Sequence, residues 1–182
     1  MNDVKNITKG INRKKADLFI FAISQGVEIE FFEFTPTDFT TMCLESYRID
    51  SKSDKRIEKF EPQKKHYRFK KVSCRKAMNL SSDINYKTLK KLYVKDYTTL
   101  IPYYENKYHC CFNQKAAIEK ELTYYTFGDM IEMIILEFYG IEWKKSNSDK
   151  FDFTRNTDNK NIEIKSFIQN SFEIQPKINQ YI

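Results

Sequence analysis

The sequence predicts a mixed α/β chain of the α+β kind, with a strand-rich core at the C-terminal end and a mainly helical, basic N-terminal region. Three observations carry this. Residues 126–139 repeat apolar side chains at helical spacing between Thr126, a capping residue, and Gly140. Residues 150–154 and 162–167 read as two strands joined by the turn RNTDNKN, and IEIKSF alternates cleanly. Between Ser51 and Lys76 eleven Lys and Arg face only Asp54, Glu58 and Glu61, a local charge of +8 in a chain whose total is +6. A concentrated basic segment beside a near-neutral body implies a polyanion partner, most simply DNA.

Taken in order, residues 1–10 read as a loose start, and INRKKADLFIFAISQ (11–25) as a helix with Gly26 beyond its end. VEIEFFEF (27–34) alternates as a strand. Thr35 or Thr37 caps a following helix through Phe39, Met42 and Cys43. Residues 49–62 are polar and read as a linker. KKHYRFKKVSCRK (64–76) interleaves basic with aromatic residues, as a β-wing with a basic face would. Helix, turn, helix and wing together resemble a winged DNA-binding module in architecture. Residues 81–101 read as a helix ended by Pro102, and 115–125 as a short helix. SFEIQPKI (171–178) reads as a third strand interrupted at Pro176. The expected division is a basic recognition region, 1–110, and an α/β core, 111–182.

With 182 residues and 41% apolar side chains the chain can bury a core. No window approaches 18 uninterrupted apolar residues, and MNDVKNITKG lacks a signal-peptide segment, so a cytoplasmic protein away from membranes is expected. Cys43, Cys74, Cys110 and Cys111 form no CxxC pair and have only His66 and His109 for company, which argues for free thiols rather than zinc.

The residues that carry chemistry are Asp152, Glu163 and Lys165. Hydrolysis of a phosphodiester needs an in-line water and neutralised charge on the phosphorane, which Mg²⁺ held by carboxylates supplies. Two carboxylates must converge from different backbone segments, and Asp152 and Glu163 can do so across a hairpin. Glu163 and Lys165, two apart on a strand, share a face. Lys165 can then orient the water or stabilise developing negative charge. Ile162 and Ile164 point the other way, into the core.

The helix FGDMIEMIILEFYG, the Asp of KFDF and the strand IEIKS, in that order, resemble the PD-(D/E)xK restriction-endonuclease-like nucleases over the last third of the chain. The resemblance implies Asp152 and Glu163 as ligands of Mg²⁺ or Mn²⁺, Lys165 as the catalytic lysine, and Glu132 as the helix carboxylate near the metal. It also implies that SFEIQPKI is the strand after the ExK strand, with Gln175 flanking the site. Phe151 stands where the family's nominal Pro does. Family cores continue past this point with a further strand and helix, so completion by N-terminal elements, by a partner or second protomer, or a truncated core used for binding are all open.

The function expected is a metal-dependent DNA endonuclease, with Lys64, Lys65, Arg68, Lys70, Lys71 and Arg75 on phosphates. The alternative is a phage or mobile-element protein that uses a nuclease-like core without turnover to grip DNA or block a host ribonucleoprotein, as an anti-CRISPR acting on a Cas effector would. A homodimer, or one subunit of a larger nuclease, also fits.

Overall fold

The computed structural model describes residues 2–25, 28–53, 67–89, 92–93, 97–140, 142–167 and 171–174. In chain order these form α1 (Asn2–Arg13), β1 (Leu18–Gln25), β2 (Glu28–Phe34), α2 (Pro36–Ser53), β3 (Tyr67–Lys70) and α3 (Lys71–Leu80). There follow β4 (Lys87–Thr88), β5 (Leu92–Tyr93), α4 (Tyr97–Tyr108), β6 (Cys110–Cys111), α5 (Gln114–Glu119) and β7 (Thr123–Tyr124). The chain continues with α6 (Phe127–Tyr139), β8 (Trp143–Lys145), β9 (Phe153–Arg155), β10 (Asn161–Phe167) and β11 (Ser171–Ile174). The α+β expectation is met by a mixed sheet in the order β4-β2-β1-β10-β9-β8, with β5 also on β2. Among the described residues no helix is long and apolar enough to cross a membrane.

The sheet is mixed because β1 lies parallel to β10, Phe19 beside Glu163 and Phe21 beside Lys165, while its other ladders are antiparallel. One sheet thus spans the expected division at 110/111, and the β1–β10 ladder joins the two parts. Asp17 reinforces the joint: its N–H donates to the Asn161 carbonyl at 2.7 Å, and its carboxylate accepts from the Asn161 N–H at 2.8 Å.

Each face of the sheet has its own core. Phe19, Phe21 and Ile23 of β1 pack with Ile7 and Ile11 of α1, Phe39, Met42 and Cys43 of α2, and Cys74, Ala77 and Met78 of α3. Leu18, Ile20 and Ala22 turn to the other face, with Ile162 and Ile164 of β10 and Met130, Ile131, Ile134 and Ile135 of α6. This explains one misreading. LFIFAI, expected within a helix over 11–25, is a strand buried on both faces, and a run that is apolar on both sides shows no period. The helix lies earlier, over residues read as a loose start.

Other elements follow the local chemistry. Thr35 caps α2, accepting from the Asp38 N–H at 3.1 Å, and Asn113 caps α5, accepting from the Ala116 N–H at 3.0 Å. Thr126 and Asp129 form a reciprocal capping box on α6. At Gly140 a Cβ would lie 2.3 Å from the Leu136 carbonyl oxygen, so only glycine fits there.

Further stretches differ from expectation: residues 49–53, read as linker, continue α2, and residues 123–124, read as the end of a helix, form β7. Of the expected β-wing, residues 64–66 lie outside the described residues and Tyr67–Lys70 is a strand; from Lys71 the buried positions Ser73, Cys74, Ala77 and Met78 keep helical spacing, and the segment is α3. Of the expected helix over 81–101, residues 97–101 are helical, while among the described residues before them β4 and β5 lie on the edge of β2, where the Leu89 N–H donates to the Phe31 carbonyl at 2.8 Å. α4 begins at Tyr97 and carries Pro102 inside it rather than after it. Tyr104, buried against the α6 layer, holds that helix in place.

Candidate active site

β9 and β10 are antiparallel neighbours, as the spacing of Asp152 and Glu163 requires, but the ladder is short. Thr154 pairs with Asn161 and Phe153 with Ile162. At Asp152 the strands part. Its N–H still donates to the Ile162 carbonyl at 2.8 Å, and its side chain then replaces the missing backbone acceptor, Oδ2 receiving the Ile164 N–H at 2.7 Å. The carboxylate is thereby fixed against β10, one residue from Glu163.

Glu163 and Lys165 project to the α1–α2 face, since their β1 partners Phe19 and Phe21 belong to that core. Glu163 is 1% exposed. Its Oε1 is ion-paired with Lys165 Nζ and, at 2.9 Å, with Lys14 Nζ. Its Oε2 is buried with no hydrogen-bond partner in the structure. Such an atom costs free energy unless something fills the place beside it. Glu132 comes from α6, on the opposite face, and pairs with Lys145 of β8 at 3.2 Å. Asp152, where β9 and β10 part, is coupled electrostatically to both other carboxylates.

The electrostatics record this crowding. Burial pushes the Asp152 carboxyl above its ordinary value, and Glu163 adds to the rise, against the Ile164 N–H, Lys165 and Lys14. Burial also raises Glu132, with Asp152 adding and Lys145 opposing. Acids raised by burial and by one another hold a proton or a cation more readily than isolated acids do.

Among the described residues no group of three or more His, Cys, Asp or Glu is placed to hold a metal by itself. The donor set nevertheless fits a hard divalent cation. Mg²⁺ commonly takes one or two carboxylates and completes its octahedron with waters and phosphate oxygens. Asp152 and the unpartnered Oε2 of Glu163 are the two donors that would hold it, and the bound ion would neutralise phosphate charge.

The structure thus brings Asp152, Glu163 and Lys165 together and couples Glu132 to them through Asp152. Of the expected phosphate contacts, only Lys70, Lys71 and Arg75 have described side chains. Lys64, Lys65 and the side chain of Arg68 lie outside the described residues. Lys70 is exposed where β3 meets α3. Arg75 is ion-paired with Glu30, and Lys71, lowered first by burial and then by Arg75, sits beside that pair. Gln175 is outside the described residues, and β11 pairs with β3 in a separate two-stranded sheet rather than with β10. The four cysteines, Cys43, Cys74, Cys110 and Cys111, are free and buried.

Lys14 is the residue that sequence reasoning missed. It stands one residue past α1, in a basic RKK run read as part of the helix expected over 11–25. Only the parallel pairing of β1 with β10 carries it to Glu163. No family model, no curated protein and no solved structure matches this chain.

Proposed function

We propose that this protein is a divalent-cation-dependent endonuclease of the restriction-endonuclease-like kind, acting on DNA phosphodiesters. The observation that carries the reading is the Glu163 carboxylate, buried in a cluster with Asp152 and Lys165 and left with one oxygen unpartnered. In this reading Asp152 and Glu163 hold Mg²⁺ or Mn²⁺. Lys165 directs the attacking water or steadies the phosphorane, and Glu132 shapes the field at Asp152. Further support comes from β1, which follows α1 and lies parallel beside β10: the helix and strand that such cores need after the ExK strand can come from the other end of the chain.

Supercoiled plasmid incubated with Mg²⁺ and the purified protein tests it, beside Asp152→Ala and Lys165→Ala. Nicking or linearisation by the parent chain alone is the expected result. Equal behaviour of all three proteins, with or without cleavage, overturns it.

One observation favours a second reading, a DNA- or ribonucleoprotein-binding inhibitor without turnover. Glu163 Oε1 is already neutralised from inside by two lysines, so the cluster persists as a charge-balanced structure. That protein would bind its target equally well after Asp152→Ala.

A further inference from the structure

We propose that Lys14 is a second phosphate-contacting lysine of this site, ion-paired with Glu163 in the free protein and released to the nucleic acid when a divalent cation binds; this rests on the nuclease reading of Asp152, Glu163 and Lys165. Two ammonium groups on one oxygen are more than one carboxylate needs, because Lys165 alone would neutralise Glu163. Taken together, Asp152 and Glu163 balance Lys14 and Lys165, and Glu132 balances Lys145. With a divalent cation on Asp152 and Glu163, the cluster carries an excess of two positive charges. An anionic phosphodiester, gaining negative charge toward the phosphorane, matches that excess.

Of the two lysines, Lys14 is the one free to move. Lys165 is set in β10 beside Phe21, in the middle of the sheet. Lys14 lies outside any helix or strand, and its N–H donates to the Ile11 carbonyl at 3.0 Å. Beyond Glu163, its ammonium donates to the Asp149 carbonyl at 3.3 Å, a long bond. Its side chain is 27% exposed, close to the 22% of Lys165, so what sets the two apart is the backbone that carries them. Arg13 and Lys15 on either side of it are exposed, so the end of α1 offers basic side chains beside Lys14. A flexible four-carbon stem with a hydrated point charge suits a contact that changes partner.

The experiment compares the salt dependence of DNA binding for the full chain and for Lys14→Gln, Lys14→Arg and Lys115→Gln. It uses fluorescence anisotropy of a short labelled duplex, with Ca²⁺ in place of Mg²⁺ and separately with EDTA. In Ca²⁺, Lys14→Gln is expected to flatten the slope of log K against log salt by about 0.9, the value of one lost phosphate contact. Lys14→Arg should keep the parent slope, and so should Lys115→Gln, whose lysine pairs with Glu119 far from the site. In EDTA the Lys14→Gln and parent slopes should coincide.

An unchanged slope in Ca²⁺ makes Lys14 a counter-ion only and overturns the proposal. An equal loss in EDTA also overturns it, because Lys14 would then be a contact that needs no release. Lysine-reactivity mapping of the unmutated chain gives a second reading independent of any variant: protection of Lys14 should require DNA and Ca²⁺ together, and protection by neither combination overturns the assignment. A parent chain that binds no DNA overturns the nuclease reading and this proposal together. A parent chain that binds but does not cleave, with the slope change present, leaves Lys14 assigned and removes only turnover.

Discussion

Glu137 and Glu163 are both carboxylates held by lysine, and their surroundings treat them in opposite ways. Glu137 lies on α6 at the surface side of α4. Its Oε1 accepts from Tyr103 Oη at 3.1 Å and from Lys107, and its Oε2 accepts from Tyr104 Oη at 2.8 Å. Both oxygens are used. Burial alone would raise this carboxyl, but the donors Lys107, Tyr104 and Tyr103 together bring it below its ordinary value. Glu163 has cations crowded on one oxygen, nothing on the other, and a second buried acid beside it. A satisfied network ties two helices together. An unsatisfied one carries a free-energy cost that folding alone does not require.

The sharpest way to break this contrast is activity. Asp152→Ala should lower plasmid cleavage by roughly 10²–10⁴-fold, because several kcal/mol of transition-state charge stabilisation depend on the metal it would hold. Lys165→Ala should fall in the same range, and Glu137→Gln should cleave as the parent does. Cleavage lost equally in all three would mean that the two carboxylates do not differ as described.

Stability should run the other way. Glu137→Ala removes the acceptor of three donors, one of them on the buried Tyr104, and should cost about 1–3 kcal/mol in urea unfolding. Asp152→Asn keeps an acceptor for the Ile164 N–H while removing a buried charge beside Glu163. It should raise stability even as it lowers cleavage. A destabilised Asp152→Asn chain would show that the ionised carboxylate is structural.

The smallest effect is in the pH dependence. Glu137 is more acidic folded than unfolded, so its contribution is present above the ordinary glutamate value and lost as pH falls through its lowered value. Asp152 is less acidic folded than unfolded, so its ionised form burdens the fold at neutral pH and the burden lifts as pH falls through its raised value. Unfolding measured from neutral into acid should therefore lose part of its acid limb in Glu137→Gln, and should drop more steeply with acid in Asp152→Asn than in the parent. Parallel curves for all three would erase the distinction.

Much of the candidate site was legible because its signals are local. The capping box of Thr126 and Asp129 marks α6, and the strand–turn–strand around RNTDNKN puts Asp152 beside β10. The two-residue spacing of Glu163 and Lys165 puts both on one face. What was misread depends on distant partners. LFIFAI could not declare itself a strand without the two cores it separates, and residues 87–88 and 92–93 became strands only because β2 offered an edge. The basic segment promised a phosphate surface, yet Arg75 went to Glu30, 45 residues away in sequence.

The sequence by itself determined the carboxylates, the lysine two residues on, and the helix ahead of them, because capping, periodicity and strand alternation act over a few residues. Only the tertiary structure decided that β1 completes the sheet parallel to β10, that Glu163 keeps a bare oxygen, and that Lys14 stands beside it. Those facts are set by which strand edges meet and by what burial leaves unpaired, and no local pattern of residues encodes either.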